Sequence, residues 1–139
     1  MIRQNLAVLG FETTGKCLLE ITPDVNNWVR ENDMQMGSLT LFCQHTSASI
    51  LILENAAPAV RADLVRWLDR IAPEDDGYSH DDEGPDDMPA HLKAVLTGPS
   101  LSIPVAGGRM MLGKWQGVFL AEHRSAPQRR SIAAHIVGE

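Results

Sequence analysis

The segment Ser79–Lys93 has the sequence Ser-His-Asp-Asp-Glu-Gly-Pro-Asp-Asp-Met-Pro-Ala-His-Leu-Lys. It holds two histidines and five carboxylates, a composition no apolar core requires. Such a loop is either solvated surface or a site for a cation or a proton transfer. Two other segments offer partners. Cys43-Gln44-His45-Thr46-Ser47-Ala48-Ser49 ends an apolar run, and Gly113-Lys114-Trp115-Gln116-Gly117 opens another.

His45, His80 and His91 are the candidate metal ligands. Three imidazoles that converge leave a zinc-type ion an open fourth position for water. No short H-x-x-x-H spacing joins them, so three unrelated histidines are the alternative. Glu54, Asp63, Asp82, Glu83 and Asp86 are candidate supporting carboxylates or general bases; a solvated acidic loop is the competing reading. A hard ion such as Mg2+ would prefer those oxygens. Thr46, Ser47 and Ser49 suit a tight turn or an oxyanion. No G-x-S-x-G elbow accompanies the serines near His45, which disfavours acyl transfer. No Walker-type phosphate loop is present. Trp115 and Gln116, set between glycines, could pack over a planar ring and hydrogen-bond it, or serve as an ordinary core Trp and a capped turn.

Several elements must position these groups. Residues 2–12 and 17–21 are expected to form a hairpin, followed by a helix with Thr22 as N-cap, Pro23 at its first position and Gly37 as its stop. Residues 38–45 alternate as a strand, with Leu39, Leu41, Cys43 and His45 on one face. Residues 50–53 form another strand. Pro58–Ile71 is expected to be a helix, capped by Asn55, with Val60, Leu64, Trp67, Leu68 and Ile71 inward and Arg61, Arg66, Asp69 and Arg70 outward. A loop over 72–85 precedes a short helix, Met88–Leu96, capped by Asp86 or Asp87. Its inward face is expected to be Met88, His91, Leu92 and Val95, with Lys93 off that stripe. Strands over 100–105, 110–112, 117–124 and 130–137 complete the chain. Strands in runs with helices between them indicate an α+β fold, with antiparallel or mixed sheets and about three helices, in a single domain over 1–139.

The bulk composition narrows the function. The chain has 139 residues, 44% apolar and 22% charged, with a formal net charge of -6. That describes a folded chain with a core. The acidic balance, without a Lys/Arg run, disfavours nucleic-acid and anionic-membrane partners. No membrane-length apolar run and no signal peptide are recognisable, so a cytoplasmic location is expected. Cys17 and Cys43 are expected to be free thiols.

Taken together, Gln44–Ser49, Glu54-Asn55-Ala56, Glu83–Ala94, Ser100–Gln116 and Glu122-His123-Arg124 resemble the YjbQ-like uncharacterised protein family, also labelled secondary thiamine-phosphate synthase. The resemblance covers essentially the whole chain. Ser100, Ile103, Val105, Gly108, Gly113, Trp115 and Gln116 fit the family's signature, with Lys114 where it has threonine. Ser125-Ala126-Pro127-Gln128 stands where the family tends to have a Gly-Gly-Ser turn. The resemblance implies an α+β homotrimer, with a pocket that lies between subunits. It also implies weak thiamine-phosphate synthase activity, joining a pyrimidine diphosphate to a thiazole phosphate with release of pyrophosphate. A divalent ion, Zn or Mg, or basic groups among Lys93, Arg109, Lys114 and Arg124 would stabilise that leaving group. The expected catalytic set is Glu54, Asp63, Lys93 and Arg124; the alternatives are a metal-dependent hydrolase and a trimer that binds a metal or small molecule without turnover. The expected contacts to a small, phosphorylated substrate are Thr46, Ser47, Ser49, Asn55, Trp115 and Gln116.

Overall fold

A computed structural model describes residues 1–139. The strands are β1 (Arg3–Thr13), β2 (Cys17–Glu20), β3 (Met36–Cys43), β4 (Ala48–Glu54), β5 (Ser100–Ala106), β6 (Arg109–Met110), β7 (Gln116–Glu122) and β8 (Gln128–Gly138). The helices are α1 (Thr22–Glu31), α2 (Pro58–Ile71) and α3 (Asp87–Thr97). One sheet has the order β1-β8-β3-β5-β6 and the other β2-β7-β4. Every pairing is antiparallel. The fold is α+β. The expected N-terminal hairpin does not form, because β1 pairs with β8 and β2 with β7.

The sheets lie face to face. Leu39, Leu41, Ile103, Ile132 and Ile136 of the larger sheet meet Ile50, Val118 and Leu120 of the smaller one, and Val25 and Val29 of α1 join them. Period-two alternation explains the match, since each strand gives every second side chain to this layer. β7 is buried on both faces. Its Phe119 and Ala121 pack on the far side with Leu51, and Leu64 of α2 lies against them. The smaller sheet is therefore sandwiched between the larger sheet and helices α2 and α3, with β4 next to α3.

Several local expectations change. Thr22 is the first helical residue of α1 and does not cap it. Its hydroxyl donates to Glu20 at 2.9 Å and accepts the Val118 N–H at 2.8 Å. The helix ends at Glu31, and Asp33 turns the chain at a positive φ of 48°. Gly37 lies inside β3, where a Cβ would collide with the Val137 carbonyl. Asn55 does not cap α2; the Glu54 carboxylate accepts the Ala56 and Ala57 N–H groups, both at 3.0 Å. Within α2 only Leu68 is fully buried, while Trp67 and Ile71 are 43% and 46% exposed. Asp69, expected outward, turns toward Lys93.

In α3 the inward face is Asp87, Pro89, Ala90, Lys93 and Ala94, and Val95 is 82% exposed. Small side chains let the helix approach β4 closely, and its two buried charges are both paired. Cys17 is half-buried, Cys43 is buried, and both are free thiols. No helix is long and apolar enough to cross a membrane.

Candidate metal centre and adjoining cleft

The acidic loop is fastened to the body by one guanidinium. Arg124, just after β7, donates from Nε to Asp86 Oδ2 (3.0 Å), from Nη1 to Asp87 Oδ1 (2.6 Å) and from Nη2 to the Glu83 carbonyl (3.0 Å). The Ser125 N–H adds a fourth bond, to Asp86 Oδ2, at 2.8 Å. Gly84 lets the loop double back, at a φ of 99° in the left-handed region. Helix α3 then starts at Asp87. Pro89 lies in its first turn, where an N–H has no helical partner to lose.

Asp87 is 3% exposed, and Arg124 occupies only its Oδ1. Its Oδ2 faces two imidazoles. His80 Nε2 lies 2.8 Å away, and His91 Nε2, one helical turn along α3, lies 3.1 Å away. The two rings are 5.7 Å apart between centroids. On its other side, His91 Nδ1–H donates to the Thr46 carbonyl at 2.9 Å. That bond fixes the ring and turns Nε2 toward the carboxylate. A contact between Nε2 and a carboxylate is satisfied either by a proton or by a cation. His80 also lies 3.0 Å from Glu83 and 3.6 Å from Asp82.

Burial alone would raise the Asp87 pKa, but the His80 hydrogen bond and the charges of His91 and Arg124 outweigh it and hold the carboxyl below its ordinary value. The reciprocal hydrogen bond to Asp87 raises the His80 pKa, helped by Glu83 and Asp82.

The ligand atoms of His80, Asp87 and His91 all lie within 4.8 Å of one another. Two imidazole nitrogens and one carboxylate oxygen suit a first-row transition ion with open positions better than Mg2+, which favours oxygen. The Thr46 carbonyl on His91 and the Arg124 guanidinium on Asp87 are outer partners of the kind that orient metal ligands. The residues present therefore fit a divalent transition ion.

His45 stands apart from this group. Its Nε2 accepts the Ser131 N–H at 2.7 Å. Burial, then the charge of Arg130, lowers its pKa. It meets His91 instead along a cleft of about 480 Å³ whose other walls include Ala48, Ala94, Val95 and Pro99.

The remaining candidate residues, Asp63 apart, fall into two places. Beneath the cleft, a chain of hydrogen bonds runs inward. The Thr97 hydroxyl donates to the Lys93 carbonyl at 2.8 Å, so its oxygen accepts from Ser49 Oγ at 2.6 Å. Ser49, its proton committed there, accepts from His123 Nε2 at 2.9 Å. His123 is therefore a donor to this serine and not its base, and Ser49 is fully buried. No substrate reaches it in this arrangement. Ser47 is also occupied, accepting from Arg130 Nη2 at 3.0 Å. Lys93, 5% exposed, is paired with Asp69 at 2.5 Å. Arg130 is buried against Glu122. Lys93 and Arg124 are thus committed to carboxylates rather than free for a leaving group.

Glu54, Asn55, Trp115 and Gln116 lie at the other end of β4. In the β4–β7 register, Glu54 faces Gln116 while Ala48 faces Glu122. Six steps at about 3.3 Å put about 20 Å between the ends. The second motif therefore does not meet the histidines within one chain. Trp115 is 55% exposed with Lys114 over its ring, and Gln116 accepts the Gly113 N–H. Asn55 donates to Glu20 at 3.0 Å. Asp63 is exposed and paired with Arg66, away from the site. Sequence reasoning offered Asp86 or Asp87 as a helix cap, whereas no side chain caps α3, and it missed the central position of Asp87; its i, i+4 spacing to His91 was the available signal. It also gave no role to Asp69 or His123, although His123 falls by period two on the strand face of the buried Phe119 and Ala121.

A two-sheet α+β domain, with an Asp–His–His cluster at a loop–helix junction, is the class these observations define. The family model described as "UPF0047 protein YjbQ-like" matches residues 8–139, and the chain belongs to that family. A "UPF0047 protein sll1880" of Synechocystis sp. is 44% identical over 138 residues, covering 99% of this chain and 94% of its own length. "UPF0047 protein YjbQ" of Escherichia coli is 46% identical over 106 residues, 76% of this chain and 77% of that protein. A crystal structure of a YjbQ/UPF0047 family protein from Clostridium acetobutylicum superposes with a TM-score of 0.86 at 33% identity, covering 94% of this chain and 98% of that one.

Proposed function

We propose that His80, Asp87 and His91 bind a divalent transition ion and that the protein is a metal-dependent enzyme acting on a small molecule held beside it. The observation that carries this reading is the approach of two imidazole nitrogens, at 2.8 and 3.1 Å, to one oxygen of a buried, Arg-anchored carboxylate. Bound there, the ion would supply Lewis-acid stabilisation of an oxyanion or an activated water. His91 keeps its Nδ1 proton on Thr46 and offers Nε2. Asp87 offers Oδ2 while Arg124 holds Oδ1.

Resemblance to the family suggests a thiamine-phosphate synthase-like transfer that releases pyrophosphate. Hydrolysis is the second reading, favoured by one observation: Lys93 and Arg124 are tied to carboxylates, which leaves a departing pyrophosphate without a free cation from either. A homotrimer is part of the proposal. Leu6, Val8, Met36 and Phe42 give the outer face of the larger sheet a row of exposed apolar side chains that a neighbouring copy could cover. Trp115, about 20 Å from the histidines along β4, could complete a site only on another subunit. A cytoplasmic setting accords with two free thiols.

The test is elemental analysis of tag-free protein, with Asp87→Ala and His91→Ala alongside. A near-stoichiometric transition metal, lost in both variants while the fold persists, is expected. Metal retained by both variants, or no binding of Zn2+, Mn2+ or Fe2+ in direct titration, would refute the centre.

A further inference from the structure

We propose that the apolar cleft is a subsite for the uncharged part of a small molecule. The ligand class is an apolar or aromatic body bearing one carbonyl oxygen or ring nitrogen, which accepts a hydrogen bond from His45 Nδ1–H. The subsite's place beside a reacting centre rests on the proposal for His80, Asp87 and His91; the binding itself does not.

The argument begins in the β3–β8 ladder, which ends at the Cys43–Ile132 pair. One step on, the Gln44 N–H still donates to the Ser131 carbonyl at 3.2 Å. The Ser131 N–H has no carbonyl opposite, and the His45 ring takes that place, accepting at Nε2 over 2.7 Å. A ring nitrogen that accepts carries no proton. The neutral imidazole therefore holds its proton on Nδ1, and the backbone bond sets both tautomer and orientation. Nδ1 has no partner within the protein, yet no buried side-chain polar atom is left unpaired. The Nδ1–H therefore opens onto accessible space, and the space beside His45 is the cleft.

The walls decide what fits. Ala48, Ala94, Val95 and Pro99 are apolar, and no Lys, Arg, Asp or Glu lines the cleft. An anionic group gains nothing there, whereas an apolar body is desolvated favourably. The Thr46 hydroxyl also lines the cleft but can rotate, whereas the His45 Nδ1–H is fixed by its backbone bond and selects for an acceptor on that body and against an isostere lacking it. His91 forms a wall of this cleft and one corner of the metal cluster, so a ligand seated here has its charged end, if any, directed out of the subsite.

The test uses the whole protein, metal-free in EDTA, with nitrogen-15 labelled histidine. Long-range proton–nitrogen spectra, assigned with His45→Gln, should show His45 protonated at Nδ1. Acetophenone should bind about tenfold more tightly than ethylbenzene, the same shape without the acceptor, and should shift the His45 Nδ1 resonance. An Nε2-protonated His45, equal affinity for the two probes, or binding of neither would overturn the proposal. Metal titration of a separate sample reports on His80, Asp87 and His91 alone, so failure of that centre and failure of the subsite are read independently.

Discussion

Acidification tests the buried polar layer through His123. The residue is 4% exposed, donates to Ser49, and faces Lys93 of α3, Arg130 of β8, its neighbour Glu122 and Asp69 of α2. Burial first, then the charge of Lys93, pushes its pKa down from the ordinary 6.5 to about 4. A depressed histidine pKa means that the folded state prefers the neutral ring, so the unfolded chain takes up the proton first. Stability is complete above pH 6.5 and drains away as pH falls toward 4. The separation of about 2.5 pH units, at about 1.4 kcal/mol each, corresponds to about 3 kcal/mol, with about 2 kcal/mol of it gone by pH 5. His45 acts in the same direction, and His80, with its raised pKa, in the opposite one. The lowered carboxylates of Asp69, Asp86, Asp87 and Glu122 lose their contribution only below the carboxylate range. The assay is urea unfolding at pH 7 and pH 5 in EDTA, for the wild type and His123→Gln. The variant keeps a neutral hydrogen-bonding side chain and every other titrating group. Its loss between the two pH values should be smaller than that of the wild type by about 2 kcal/mol. Parallel losses in the two proteins would refute the assignment of a buried neutral imidazole to this position.

Other predictions address the candidate centre and its supports. Arg124→Ala frees Asp87 Oδ1 and should weaken Zn2+ or Mn2+ binding about 10- to 100-fold in calorimetric titration; unchanged affinity would show that the guanidinium only pins the loop. Metal binding must displace the proton that His80 shares with Asp87, and that hydrogen bond raises the His80 pKa. Affinity should therefore fall as pH drops through that raised value, with proton release visible as a buffer-dependent enthalpy. Saturating metal at 100 times its dissociation constant should stabilise the wild type by about 2.7 kcal/mol, read as a rise in Tm that Asp87→Ala lacks. Asp69→Ala leaves the buried Lys93 ammonium unpaired and should cost about 3–5 kcal/mol. Lys93→Met leaves an Asp69 that still reaches water and Lys16 at 3.2 Å, and should cost less in the same denaturation assay.

The sheets were legible because alternation is a local signal. Leu39, Leu41 and Cys43 are buried on β3 as their spacing requires, and β7 is apolar on both faces because it has a layer on each side. Strand pairing was not legible: β1 finds β8 across the whole chain, and nothing in the first 20 residues excludes a local hairpin. The α3 face was misread for a related reason. Hydrophobic periodicity assigns Leu92 and Val95 inward and leaves Lys93 off that stripe, with Asp86 or Asp87 only as a cap. The observed helix does the reverse, since Ala90 and Ala94 allow close approach to β4 and the charges find partners at Asp69 and Arg124. Those partners are set by tertiary structure and leave no trace in the spacing of α3 itself.

The same distribution of charge constrains the chemistry. A cation that recognises an anionic substrate must be free of internal carboxylates or be able to exchange them. Lys93 and Arg130 are each 5% exposed and paired with Asp69 and Glu122, and Arg124 gives three donors to the loop it anchors. Removing Arg124 or Arg130 from its partner would strand the buried Asp87 or Glu122 carboxylate, at about 3–5 kcal/mol for a broken buried pair, and turning Lys93 away from Asp69 would leave its own buried ammonium unpaired. Within one chain, positive charge at the Asp87 centre would come from a proton shared between His80 and Asp87 or, on the proposed reading, from an ion held by His80, Asp87 and His91. Of the other two candidates, Arg109 is exposed on the edge strand β6, and Lys114 lies over the Trp115 ring at the far end of β4 and can act there only on another subunit's site. On the proposed reading the ion would supply this charge, because the Lys and Arg side chains near this centre are already engaged.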